Sequence, residues 1–116
     1  MNLLAWARKV SEWIDAPVYL VGSALRKSDP RDIDIRAILS DAQFAERFGP
    51  VDVWVREGET GQWTDVRLKW SRFCTRLTKQ AWRLTGQNVD FQVYPRSWSE
   101  KEYGGEPKEL LREGRE

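Results

Sequence analysis

Leu4, Ala7, Val10 and Ile14 recur three or four positions apart, with Arg8, Lys9, Glu12 and Asp15 on the other faces. That period predicts an amphipathic helix over residues 2–15, ended by Pro17. Val18 to Val21 is a four-residue apolar run stopping at Gly22-Ser23, the pattern of a short buried strand. Residues 24–31 are polar and predict a turn region, with room for one helical turn directly after Gly22-Ser23. Asp32-Ile33-Asp34-Ile35 alternates strictly, and Arg36 to Leu39 continues that strand. Ser40 or Asp41 caps a short helix through Phe48, closed by Gly49-Pro50. The alternation in Val51 to Val55 predicts a further strand, followed by a loop over Glu57 to Gln62. Trp63, Val66, Trp70, Phe73, Leu77, Ala81 and Leu84 mark the clearest helix, residues 63–84, with Gly86 placed to end it. Val89, Phe91 and Val93 then alternate with Asp90, Gln92 and Tyr94 in a strand that Pro95 stops. These helices and strands occupy residues 1–95 as one domain. A polar C-terminal tail, 96–116, follows with at most a short helix.

In a strand, side chains two apart share a face, so Asp32 and Asp34 point one way while Ile33 and Ile35 enter the core. Asp90 shares its face with Gln92 and Tyr94. If the two strands are neighbours, three carboxylates converge on one patch, which repels itself unless a cation is present. Histidine is absent and Cys74 is the single cysteine, so any metal site must use oxygen ligands. That donor set suits Mg²⁺, Mn²⁺ or Ca²⁺, and two divalent ions shared by carboxylates would clamp a triphosphate. Gly22 lets backbone approach a ligand, and the Ser23 hydroxyl can donate to phosphate oxygens. Arg26, Lys27 and Arg31 are loop cations able to hold the same oxygens.

Composition narrows the classes. No apolar run approaches the roughly 20 residues a membrane helix needs. Met1 to Trp6 lacks a secretory pattern and the lone cysteine suits a reducing compartment, so a cytoplasmic location is expected. A net charge of +1 argues against long nucleic acid as partner. Seven tryptophans enlarge a small core, and Trp54 and Trp98, outside the predicted helices, are the candidates for stacking on a base.

Val-Gly-Ser at 21–23, Asp-Ile-Asp-Ile at 32–35 after an eight-residue spacer, and Val-Asp-Phe at 89–91 together resemble the nucleotidyltransferase superfamily of DNA polymerase β. The likeness is closest to its minimal, single-domain members and covers about residues 18–94. It implies an α+β, nucleotidyltransferase-like fold, a small mixed β-sheet with helices packed on it, that moves a nucleoside monophosphate from a triphosphate to a hydroxyl, releasing pyrophosphate. It further implies Gly22 and Ser23 on the triphosphate, Asp32 and Asp34 on both metal ions, and Asp90 on one ion while helping to deprotonate the acceptor. Minimal members often pair with a second protein, in some cases as an antitoxin, so a protein partner or protein acceptor is a second expectation. A degenerate relative without activity is a third.

Overall fold

The structure is a computed structural model and describes residues 1–21 and 33–104, with the backbone of 108–110. Gly22, Ser23, Lys27, Arg31 and Asp32, and the turn region expected around them, lie outside the described residues.

Helix α1 (Leu3–Ile14) starts where the Asn2 side chain accepts the Ala5 amide at 2.8 Å, and ends at Asp15 in left-handed geometry. Strand β1 (Val18–Val21) follows Pro17, then β2 (Ile33–Leu39). Helix α2 (Asp41–Arg47) is opened by a reciprocal cap, Ser40 accepting the Gln43 amide while the Gln43 side chain accepts the Ser40 amide. Helices α3 (Val51–Thr60) and α4 (Val66–Thr85) lead to β3 (Val89–Pro95), α5 (Arg96–Tyr103) and β4 (Lys108–Leu110). The strands form one mixed sheet in the order β3-β2-β1-β4, with β2 and β3 parallel and the other pairs antiparallel. A parallel pair needs a long crossover, and α2, α3 and α4 supply it.

One sheet face carries Val18, Ile35, Ala37, Phe91 and Val93, all buried, against Trp6, Val10 and Ile14 of α1 and Phe73, Leu77 and Ala81 of α4. Helix α4 also lies along the outer edge of β3. There the Phe91 amide donates to Thr78 Oγ1 at 3.0 Å, and Trp70 Nε1 donates to the Val93 carbonyl at 2.6 Å. An edge strand is thereby closed to further pairing at those positions.

The expected strand at 51–55 and loop at 57–62 are corrected: residues 51–60 are helical. Pro50 precedes the helix, where its missing N–H costs nothing, and Gly61 ends it at φ +76°. Trp54 and Glu57, one turn apart, both point inward. Trp54 is 1% exposed, in ring contact with Phe44, Trp70 and Trp98, so it is core and not a platform for a base. The Trp54 indole N–H has no hydrogen-bond partner among the described residues; aromatic faces surround it instead.

Helix α4 begins at Val66, three residues later than expected, because Glu57 organises the turn before it. The Glu57 carboxylate accepts from Thr64 Oγ1 at 2.5 Å and from the Thr64, Asp65 and Arg67 amides at 3.3, 3.4 and 2.8 Å. Those bonds, led by the Thr64 hydroxyl, hold its pKa below the ordinary carboxylate value. Arg67 answers by donating from Nε to the Trp54 carbonyl at 2.8 Å, its guanidinium 4.2 Å from the Trp54 ring centre. The segment expected to be a polar tail from residue 96 contains α5 and a strand that joins the sheet beside β1.

Candidate functional site

The second sheet face is built by the same alternation that buries Ile35 and Phe91. On it stand Asp34 and Arg36 of β2, and Asp90, Gln92 and Tyr94 of β3. Parallel pairing puts them in rows: Asp34 beside Asp90, Arg36 beside Gln92, Ile38 beside Tyr94. Neighbouring strands lie about 4.8 Å apart, so two carboxylates with matching orientation share one patch. Gln92 Nε2 donates to Asp90 Oδ1 at 2.9 Å, leaving the other Asp90 oxygen for a further partner. Asp34 is half-buried and Asp90 exposed. Like charges directly opposite one another repel across a sheet, so this pair favours a positive partner.

Val21, the residue that immediately precedes Gly22, pairs with Asp34 on the other side of β2. Ile33 follows Asp32 directly and pairs with Val89. Of the residues expected at the site, Asp34 and Asp90 are therefore brought together. Gly22, Ser23, Lys27, Arg31 and Asp32 lie outside the described residues, and among the described ones no group of three carboxylate, histidine or cysteine side chains gathers to hold a metal.

Beyond the carboxylates the face turns aromatic. Trp98 and Tyr103 of α5 pack on Tyr94, with ring centres 4.8 and 5.8 Å away, and the Arg36 guanidinium lies 4.1 Å from the Tyr103 ring centre. Burial above all, with Tyr103 nearby, raises the Tyr94 hydroxyl pKa, while Arg36 pulls it down. Tyr94 is thus held neutral and serves packing. Sequence reasoning missed Tyr103 and the stacking role of Arg36, because residues 96–103 are polar on average and only Trp98 and Tyr103 mark the inner face of a helix.

A hollow of about 310 Å³ opens on the other side of Asp90, between β3 and α4, lined by Trp63, Trp70, Ser71, Cys74, Thr75, Thr78, Asp90 and Gln92. Most of its polar lining is hydroxyl and amide. Cys74 borders it but is buried, and burial pushes its thiol up to about 12, so it is no nucleophile at neutral pH.

Comparison with protein-family models, curated proteins and solved structures yields no match for this chain. No helix among the described residues is long and apolar enough to cross a membrane.

The donor chemistry decides which metal suits the paired carboxylates. Asp34 and Asp90 offer hard oxygens, the sequence has no histidine, and its one thiol is buried and protonated. Such oxygen donors suit Mg²⁺, Mn²⁺ or Ca²⁺ better than zinc or copper, which favour nitrogen and sulfur ligands.

Proposed function

We propose that this chain is a metal-dependent nucleotidyltransferase with a nucleotidyltransferase-like fold, acting with two Mg²⁺ or Mn²⁺ ions on a nucleoside triphosphate and a hydroxyl acceptor. The observation that carries this reading is the pairing of Asp34 with Asp90 on neighbouring parallel strands. The pairing of Val21 with Asp34 supports it, since Gly22-Ser23 continues the chain from that point.

Asp34 and Asp90, with Asp32, are the residues that would hold the ions. When bound, the ions supply neutralisation of the triphosphate and of the charge that develops in transfer. The acceptor oxygen forms a bond to the α-phosphorus, the bond from that phosphorus to the bridging oxygen breaks, and pyrophosphate leaves with the electron pair. Asp90 takes the acceptor proton, which its position beside the 310 Å³ hollow favours, because an acceptor seated there meets its carboxylate first. Gln92 orients that carboxylate through the bond to Oδ1. Gly22 and Ser23 bind the triphosphate, with Lys27 and Arg31 as further phosphate contacts.

Calorimetric titration with Mg²⁺ and nucleoside triphosphates tests this. Wild type is expected to bind a triphosphate only with the metal, and Asp34→Ala to lose that binding. Equal binding by both proteins would remove the proposal.

A further inference from the structure

Helix α4 carries Arg67, Lys69, Arg72, Arg76, Lys79 and Arg83 and no acidic residue in 20 positions. The rest of the chain holds thirteen basic against eighteen acidic residues, so a near-neutral protein conceals one strongly basic helix. Two of the six are engaged: Lys69 pairs with Asp65 at 3.5 Å, and Arg67 is folded inward onto Trp54. Arg72, Arg76, Lys79 and Arg83 are exposed and have no ion pair among the described residues. Their spacing of four, three and four puts them on one helix face, about 16 Å long.

That face is hollowed and flanked by exposed indoles. A depression lined by Arg72, Arg76 and Lys79 shares Ser71 and Thr75 with the hollow that reaches Asp90. A third depression, holding Trp82 and Arg83, shares Lys79 with the first and Thr78 with the second. Trp63, which lines the same hollow as Asp90, is 42% exposed, and Trp82 is 57% exposed. Cations that track a backbone, with aromatic faces beside them, are what single-stranded nucleic acid requires.

We infer that the exposed face of α4 binds a single-stranded nucleic acid and leads its end into the hollow beside Asp90. An acidic protein segment would satisfy the cations, but it gains little from exposed indoles and meets the Asp90 carboxylate in the hollow beside the track. A nucleic-acid end carries a hydroxyl there instead. Delivery of that hydroxyl for reaction rests on the nucleotidyltransferase reading; binding along α4 does not.

The test is fluorescence anisotropy of labelled single-stranded RNA and DNA oligonucleotides with the full chain, in chelator and without triphosphate, across a salt series. Four phosphate contacts predict a log–log salt slope of about −2.8 for wild type. Arg76→Gln/Lys79→Gln should flatten it by about 1.4 and weaken binding at low salt. Trp82→Leu should weaken binding on the order of tenfold with the slope unchanged. Asp34→Asn should bind the oligonucleotides like wild type. Circular dichroism confirms that each variant is folded. Wild-type binding no tighter than to a poly-glutamate peptide, or a charge variant with unaltered affinity and slope, overturns the inference. If Asp34→Asn keeps triphosphate binding while the α4 variants lose oligonucleotide, the catalytic reading fails and the binding surface stands.

Discussion

Asp34 and Asp90 are register partners, one carboxylate on each of two adjacent parallel strands and both on the face away from the core. Two acids in that relation repel one another, and a cation bound between them would relieve that repulsion.

A direct consequence is a metal-dependent sign in stability. In chelator, Asp90→Asn should be more stable than wild type by roughly 0.2–1 kcal/mol, the scale of an opposed cross-strand pair. Added Mg²⁺ should raise the wild-type melting temperature and leave the variant's unchanged. Thermal melts in both buffers check this.

Residues 51–60 show why part of the fold was not legible in the sequence. Val-Asp-Val-Trp-Val alternates as a strand does, yet the chain is helical because Trp54 fills a pocket among Phe44, Trp70 and Trp98, while Glu57 caps the next helix. Those partners lie 7 to 44 positions away in sequence, outside the alternation of residues 51–55. By contrast, β1, β2, β3, α1 and α2 were legible to within about a residue or two, since their periods coincide with burial. Alternation put Asp34 and Asp90 on exposed faces, but only the parallel pairing of β2 with β3 makes them neighbours. The basic face of α4 was readable as an absence of acidic residues, hidden by a whole-chain charge of +1.

Glu57 should give stability a pH dependence of known sign. Its folded pKa lies below the ordinary 4.5, so its contribution is complete above that value and is lost as pH falls through the folded one. Urea unfolding should show wild type weakening below pH 4.5, and Glu57→Gln should be less stable at neutral pH with a flatter profile.

Gly58 makes room for Arg67. A Cβ there would fall 2.2 Å from Nη2 of a guanidinium that is held in place by its Nε bond to the Trp54 carbonyl and by packing on the Trp54 ring. Gly58→Ala, ordinarily a gain of about 1 kcal/mol in a helix, should instead cost about 1–2 kcal/mol. The cost should vanish in an Arg67→Leu background, as a double-mutant cycle in urea will show.

Thr78 supports the strand next to the site by accepting the Phe91 amide. Thr78→Val leaves that amide without a partner and should cost about 1–3 kcal/mol. Hydrogen exchange at Phe91 should accelerate well before exchange in α1 changes.

Binding of Mn²⁺, followed by electron paramagnetic resonance as loss of the free-ion signal, reaches the carboxylate pair without requiring any substrate. Wild type should take up the ion, and Asp34→Asn and Asp90→Asn should each lose most of the affinity. Uptake by both variants at the wild-type midpoint would contradict a cation site shared between β2 and β3.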